Sequence, residues 1–276
     1  MFVLCNPKAG HNTEAIARYL EKVYRDLFII RIEGKDNFRK ALEEMAEEKR
    51  RITVMGGDGT VNLACQVLAN SNVSLGIIPT GDDNDFSNAL GIPKDPFEAM
   101  KVARIGKNKL IDLGKVNDTY FCNSFGIGFD ADVLKLAKEY KSETLQKLFQ
   151  CTNFPVKADL FLENNESMLF EDALMVTFAN GETECGGIKI NKDFSFNDHK
   201  LGATIVRKMS KTSKLFSFLF LFSNFFDFNN SISYQKVDFA ELEILNQVKM
   251  HVDGEEFFSE KLDVKICPDA LRIIIA

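Results

Sequence analysis

Residues 52–62 read Ile52-Thr53-Val54-Met55-Gly56-Gly57-Asp58-Gly59-Thr60-Val61-Asn62. Four strand-like residues lead into Gly-Gly-Asp-Gly-Thr, and an amphipathic run follows to Ala69. A strand, a glycine turn and a helix start form a geometry that holds phosphate, because glycines let the backbone approach and helix N–H groups point at the ligand. The alternative is a turn in which the glycines only relieve strain. The stretch favours phosphate binding, and Thr60 is predicted to cap the helix.

Asp58 is the unexpected residue of this turn, because a carboxylate repels phosphate. Its presence is explained if Mg²⁺ lies between the two groups. The turn therefore predicts a site for phosphate together with magnesium.

The composition is typical of a soluble globular protein. The chain has 276 residues, of which 45% are hydrophobic and 27% charged, and its net charge is −6. It has no Lys/Arg block, which argues against a nucleic-acid partner. Six cysteines are scattered without a Cys-x-x-Cys pair, as in reduced cytoplasmic proteins. With no signal-peptide pattern and no apolar stretch of about 20 residues, we expect a cytoplasmic protein.

Strands and helices alternate over residues 1–105, which predicts parallel βαβ units in an N-terminal α/β domain. Turns at 6–10, 56–60 and 80–85 each follow a predicted strand directly. Ligands bind at the carboxyl ends of strands in such sheets. We therefore expect the three turns to converge on one edge and to form a nucleotide-type cleft.

The pattern changes near Leu110 to short strands separated by turn signals such as Asp253-Gly254. The predicted strands are Lys109–Val116, Thr119–Gly126, Val156–Glu163, Leu169–Asn180, Ile188–Ile190, Lys200–Arg207, Ser231–Leu245, Val248–Val252 and Leu262–Cys267. Two helices, 130–140 and 211–226, interrupt them. This half is predicted to be mainly antiparallel, a β-sandwich or split barrel, and the domain boundary is placed near 112–118.

Several motifs, in their order along the chain, resemble the diacylglycerol kinase catalytic family, and the bacterial soluble lipid kinases in particular. They are Asn6-Pro7-Lys8-Ala9-Gly10, Gly56-Gly57-Asp58-Gly59-Thr60-Val61-Asn62, Gly76-Ile77-Ile78-Pro79-Thr80-Gly81, Asn84-Asp85-Phe86, Ile111-Asp112-Leu113-Gly114, Ala179-Asn180-Gly181 and Val252-Asp253-Gly254-Glu255. The 6-phosphofructokinases and NAD kinases share the GGDG turn, but the later segments fit the lipid kinases better.

The resemblance implies a kinase that uses ATP and Mg²⁺ to phosphorylate a lipid hydroxyl at the membrane surface, most simply that of diacylglycerol in phospholipid metabolism. It also implies that the last residues return to the first domain. The expected domains are therefore 1–115 with 270–276, and 116–269. A homodimer is left open. The alternatives are a catalytically impaired relative that binds nucleotide or lipid and regulates, and a kinase of a soluble substrate.

By the same resemblance, one set of residues is expected to bind the nucleotide: Asn6, Pro7, Gly10, Gly56, Gly57, Asp58, Gly59, Thr60, Asn62, Gly81, Asp82 and Asn84. Asp58, Asp85 and Asp112 are expected to form a carboxylate network around Mg²⁺, with Asp58 also acting in catalysis. In the alternative, Asp85 caps a helix and Asp112 is a solvated strand residue.

The resemblance makes Glu255 the catalytic base, with Asp253 supporting it, because a carboxylate near the lipid hydroxyl can accept its proton. The residues alone favour the alternative, in which Val-Asp-Gly-Glu is a hairpin turn.

A second, structural Mg²⁺ is implied at Asp198, with the backbone carbonyls of Ser195 and Lys200 completing the site. His199 stands where the family has glycine, and an isolated turn is the alternative there. Other departures are Asp82 in the third turn and Leu63 at a position that is commonly Glu.

Residues 215–226 carry six phenylalanines and follow several lysines. The run could form an interfacial helix that docks on a membrane. Apolar residues occupy nearly all faces, however, which favours a helix buried between the sheets of the second domain.

Overall fold

A computed structural model of the chain describes residues 1–10, 12–128, 156–161, 167–170, 173–184, 188–207, 232–244 and 248–276. The predicted helices at 130–140 and 211–226, with the phenylalanine run, lie outside these residues. The chain divides into two compact units, Met1–Leu113 with Pro268–Ala276, and Gly114–Cys267. The bounds expected from the sequence are 1–115 with 270–276, and 116–269. No helix in the described ranges is long and apolar enough to cross a membrane.

The first unit alternates strands and helices. Its elements are β1 (Phe2–Cys5), α1 (Thr13–Val23), β2 (Phe28–Arg31), α2 (Lys35–Glu48), β3 (Arg51–Gly56), α3 (Asp58–Leu68), β4 (Ser74–Pro79), α4 (Asp85–Ala89) and α5 (Pro96–Ile105). The strands pair in parallel in the order β2-β1-β3-β4. The predicted parallel α/β sheet is confirmed.

Burial explains why these segments take these conformations. All six residues of β4 are buried, as expected for a parallel sheet covered on both faces. Helices α1 and α2 each bury one stripe, which includes Leu20 in α1 and Leu42 in α2. Helix α5 starts where the Asp95 carboxylate accepts N–H bonds from Phe97 and Glu98, both at 3.0 Å.

The expected capping of α3 by Thr60 is wrong. The N-cap is Gly57, with no side-chain bond, and the helix begins at Asp58. Thr60 therefore lies within the first helical turn, where its hydroxyl is available for a contact outside the helix.

The second unit is built from strands. Its elements are β5 (Lys107–Val116, which starts in the first unit), β6 (Thr119–Phe121), β7 (Ser124–Gly128), β8 (Val156–Phe161), β9 (Ser167–Phe170), β10 (Ala173–Ala179), β11 (Thr183–Glu184), β12 (Ile188–Lys189), β13 (Leu201–Arg207), β14 (Ile232–Val237), β15 (Phe239–Ile244), β16 (Met250–Val252), β17 (Glu255–Phe257) and β18 (Lys261–Ile275). Six of them form an antiparallel sheet in the order β14-β13-β10-β7-β16-β17.

A second antiparallel sheet continues from the first half of β18 through β15 and β8 to β9. One buried apolar cluster joins the two sheets, with Phe125 and Phe178 from the first and Leu242 and Val264 from the second. The predicted β-sandwich is confirmed. The second half of β18 pairs in parallel with β4, at Arg272↔Ser74 and Ile273↔Leu75, so the last residues belong to the sheet of the first unit.

Three segments predicted as single strands are wrong, because each is a pair of strands. They are 119–126, 169–180 and 231–245, which correspond to β6 and β7, β9 and β10, and β14 and β15. In all three segments the chain moves from one sheet to the other. A change of sheet leaves no mark in such a segment, because both of its halves have strand character.

Candidate functional site

The turns after β1, β3 and β4 pack against one another through their backbones. A Cβ atom at Gly10 would lie 2.0 Å from the carbonyl oxygen of Thr80, and one at Gly81 would lie 2.5 Å from the Cα atom of Gly57. No side chain fits at either position, which explains the glycines. The predicted convergence of the three turns on one sheet edge is confirmed.

Hydrogen bonds join the same turns. Asn6 Nδ2 donates to Thr60 Oγ1 at 3.2 Å, which connects the first turn to α3. The N–H of Asn84 donates to Asp58 Oδ2 at 2.8 Å, which connects the third turn to the start of the same helix. Asn6 and Asn84, expected to bind nucleotide, therefore also hold the turns together.

Asn84 closes the third turn on itself. Its backbone is left-handed, with φ 53°, a conformation that asparagine tolerates better than most residues. Its side-chain oxygen accepts the N–H of Gly81 at 3.0 Å, and its Nδ2 donates to the carbonyl of Gly81 at 2.6 Å. The turn is therefore preorganised by its own asparagine.

A side-chain hydrogen bond that the sequence did not predict joins Thr13 and Thr80. Thr13 Oγ1 donates to Thr80 Oγ1 at 2.9 Å, which ties the start of α1 to the third turn. The two residues are 67 positions apart. Only the neighbourhood of Thr80, between a strand and Gly81, gives a sequence signal for it.

The start of α3 is the open part of this edge. Gly59 is exposed, and no atom lies within 4 Å of the position a Cβ would take. The first N–H groups of a helix have no acceptor inside it and attract anions. A phosphate can therefore approach the backbone at Gly59, whereas Gly57 is covered by the third turn.

The remaining expected nucleotide-binding residues differ in position. Pro7 is half-buried in the first turn, and Asp82 is exposed in the third. Asn62 is buried within α3, where its Oδ1 accepts from Gln66 Nε2 at 2.7 Å. This contact belongs to the packing of the helix.

The expected network of Asp58, Asp85 and Asp112, which would organise Mg²⁺ and its waters, stays a prediction, and the structure shows what two of these carboxylates contact. Asp58 Oδ2 accepts the N–H of Asn84, and Asp112 Oδ1 accepts the N–H of Asp269 at 2.9 Å. Two of the three carboxylates thus bind backbone donors. In the part of the chain that the structure describes, no three His, Cys, Asp or Glu side chains are grouped to hold a metal ion.

The alternative roles, a helix cap for Asp85 and a solvated strand residue for Asp112, are wrong. Asp112 is fully buried and is not a solvated strand residue. Asp85 is buried as the first residue of α4, whose N-cap is Asn84. Both are carboxylates held inside the first unit.

In the second unit, the Asp253 carboxylate accepts three backbone N–H groups. They belong to Cys122, Asn123 and Ser124, each 2.8 Å away, and the N–H of Asp253 donates to the carbonyl of Ser124 at 2.9 Å. These donors occupy the break between β6 and β7. Burial raises the pKa of Asp253, and the three N–H groups oppose that shift. Asp253 therefore fixes the turn between β16 and β17.

Glu255 is exposed at the start of β17, directly after this turn. Asp253 and Gly254 both have positive φ, 49° and 80°, which is the geometry of a type I′ hairpin. The predicted hairpin is confirmed. The contacts of Asp253 fix where the chain enters β17, and with it the position of Glu255.

The residues expected at a second Mg²⁺ site do not fit that ion. Asp198 Oδ1 accepts the N–H of Lys200 at 3.2 Å, and Asp198 Oδ2 contacts Lys236 Nζ at 2.7 Å. An ammonium group therefore lies beside the carboxylate that was expected to bind the metal. Sequence reasoning missed Lys236 because it lies 38 residues away.

Replacement of Gly81 by alanine tests the packing of the turns. We expect Gly81→Ala to lower the free energy of unfolding by about 1–3 kcal/mol, since its Cβ would force two backbones apart. Urea denaturation measures the change. Gly59→Ala is the matched control, because its Cβ meets no atom. A Gly81→Ala protein as stable as the wild type would show that the turns do not touch.

The first unit is thus a parallel α/β sheet with three packed turns at one edge, and the second unit is an antiparallel β-sandwich. The family model for the diacylglycerol kinase catalytic domain matches residues 1–116. The model for the YegS C-terminal NAD kinase beta sandwich-like domain matches residues 127–275. The chain therefore belongs to the family of proteins that carry these two domains in this order.

Individual relatives agree with this assignment. A "Probable lipid kinase YegS-like" of Chromohalobacter salexigens is 27% identical over 94% of this chain and 86% of its own. The diacylglycerol kinase of Mycobacterium tuberculosis is 26% identical over 98% and 93%. A crystal structure of a candidate diacylglycerol kinase from Bacillus anthracis superimposes with a TM-score of 0.81 at 27% identity, covering 100% of this chain and 96% of that one.

Proposed function

We propose that this chain is an ATP-dependent lipid kinase that transfers the γ-phosphate to the hydroxyl of a diacylglycerol-type lipid. The observation that carries the proposal is the edge of the first unit, where three interlocked turns leave the start of α3 open at Gly59. Family membership supports the reaction, and the name of the M. tuberculosis relative supports the acceptor.

The donor set suits a nucleotide that arrives with Mg²⁺. Magnesium in phosphoryl-transfer sites is held by one or two carboxylates together with phosphate oxygens and waters, so a three-carboxylate cage is not needed. Asp58 stands at the first residue of α3 and is the carboxylate proposed for this role. The ion would neutralise charge on the phosphates, and the backbone at Gly59 would orient them.

Proton removal from the lipid hydroxyl is assigned to Glu255. Its exposed position on β17 leaves it accessible to an acceptor, and a carboxylate is a competent general base. Asp253 is proposed as the residue that positions it, because the Asp253 carboxylate already binds three N–H groups.

The direct test supplies purified protein with Mg²⁺, radiolabelled ATP and diacylglycerol in mixed micelles. Label in the organic phase is expected. Triacylglycerol, which lacks the free hydroxyl, is the matched control and should remain unlabelled. Label only in water-soluble product from a cell extract would favour a kinase of a soluble substrate. No transfer, with ATP still bound, would favour a regulatory relative, for which the exposed carboxylate of Asp82 in the third turn is the motivating departure.

Gly59→Ala tests the place of phosphate binding. We expect it to weaken ATP binding by about tenfold or more, because a methyl group at this position separates the phosphate from helix N–H donors. Titration calorimetry measures the affinity. Thermal stability should be kept, since alanine is favoured over glycine inside a helix. Adenosine, which has no phosphate, should bind both proteins equally, and unchanged ATP affinity would contradict the placement.

Because its proposed acceptor is a lipid, we also propose that the protein acts from the cytoplasm at the membrane surface. Co-sedimentation with liposomes that contain anionic lipid and diacylglycerol tests this. Binding to these liposomes, reduced by high salt, is expected. Protein that stays entirely in the supernatant would contradict the idea.

A further inference from the structure

One face of β14 holds a loop of the second unit, residues 191–200. Tyr234 Oη donates to Asn191 Oδ1 at 2.6 Å and accepts the N–H of Asp193 at 3.3 Å. Lys236, two residues further along the strand, contacts Asp198. Alternate residues of a strand share one face, so these contacts form a row.

The same alternation continues past the strand. Asp238, which directly follows β14, forms an ion pair with Lys200 Nζ. The beginning of the 191–200 loop is thus bound by Tyr234, and its end is bound by two ion pairs. In one pair the loop supplies the carboxylate, and in the other it supplies the ammonium group. The three partners, Tyr234, Lys236 and Asp238, are alternate residues of the chain.

The carboxylate of Asp198 is fully engaged. Its Oδ2 lies 2.7 Å from Lys236 Nζ, and its Oδ1 accepts the N–H of Lys200 at 3.2 Å. The side chain of Lys236 is 22% exposed and that of Asp198 is 31% exposed. Because the pair is partly buried, salt screens its electrostatic attraction less than that of a fully exposed ion pair. His199 adopts φ 57°, which lets the backbone turn back so that the N–H of Lys200 reaches Asp198.

The charges of the two ion pairs disfavour a divalent cation at Asp198. Asp198 and Asp238 carry two negative charges, and Lys200 and Lys236 carry two positive charges, so the group is neutral. A divalent cation at Asp198 would add two positive charges beside an ammonium group. Ca²⁺ and Mg²⁺ also require several oxygen ligands, and both oxygens of Asp198 already have partners.

We infer that the ammonium group of Lys236 takes the place of a metal ion in the 191–200 loop and that this loop binds no divalent metal. The ammonium group supplies the positive charge at Asp198, and the contacts of Tyr234 and Asp238 fix the loop at its two ends. This inference is independent of the catalytic proposal, because none of the contacts that hold the loop involves Asp58, Gly59 or Glu255.

Hydrogen exchange of the intact protein without nucleotide tests this inference. The wild-type peptide that covers 191–200 should exchange at the same rate in EDTA, MgCl₂ and CaCl₂. Lys236→Gln should speed its exchange about three- to tenfold, because the Asp198 carboxylate loses its charged partner. Lys261→Gln, at an exposed lysine of the same unit, is the matched control and should leave the loop unchanged.

Two results would overturn the inference. The first is slower exchange of the wild-type loop in either divalent cation, removed by Asp198→Asn, which would reveal a metal site. The second is a Lys236→Gln loop as protected as that of Lys261→Gln. If Lys236→Gln fails to fold, Lys236→Arg keeps the charge and should retain wild-type exchange, and the wild-type cation series stays decisive.

Discussion

Glu255→Gln is expected to lower the rate of lipid phosphorylation by about 10²–10⁴-fold while ATP affinity stays unchanged. A positioned general base contributes a factor of this size, and glutamine keeps the shape of the side chain without its basicity. Glu255 is exposed at the start of β17, so its replacement removes no buried contact of the fold. Initial rates with diacylglycerol micelles and calorimetric ATP titration measure the two quantities.

The neighbouring residue supplies the control. Glu256 is also exposed on β17, but adjacent strand residues point to opposite faces. Glu256→Gln should therefore keep wild-type turnover. Near-normal turnover in Glu255→Gln would exclude it as the base. Equal losses in both variants would indicate an effect of charge and not of proton transfer.

The convergence of the three turns could be predicted because its signals are local. A strand, a glycine turn and a helix start are contiguous in 52–62, and the rule that ligands bind at strand carboxyl ends brings the three turns together. The role of each glycine could not be read in the same way. Gly57 and Gly81 are required by contact between two backbones 24 residues apart in sequence, whereas Gly59 is open to a ligand.

The contacts that sequence reasoning could not predict are long-range and polar. The segment around Asp198 resembles a metal-binding loop in sequence. Its partner Lys236, however, lies on β14, and the pairing of β14 with β13 places Lys236 beside Asp198. The break between β6 and β7 exists because Asp253, about 130 residues later, accepts N–H groups that a continuous strand would give to its neighbour. Neither partner is marked by spacing or periodicity.

Asp253→Ala is expected to lower the free energy of unfolding by about 3–5 kcal/mol. Three N–H groups, those of Cys122, Asn123 and Ser124, would lose their acceptor in a buried segment, and each unsatisfied donor costs about 1–3 kcal/mol. Alanine also tolerates the left-handed backbone at this position, φ 49°, poorly. Urea denaturation measures the loss.

Asp253→Asn separates these two causes. Asparagine accepts the left-handed conformation, but its amide offers only one oxygen, beside an NH₂ group, to three donors. Asp253→Asn should therefore lower the free energy of unfolding, but by less than Asp253→Ala does. Hydrogen exchange at 122–124 should rise in both variants, and turnover should fall with ATP affinity unchanged, because Glu255 loses its fixed position. If Asp253→Asn lost turnover while its stability and amide protection at 122–124 stayed at wild-type values, Asp253 would act on the substrate directly.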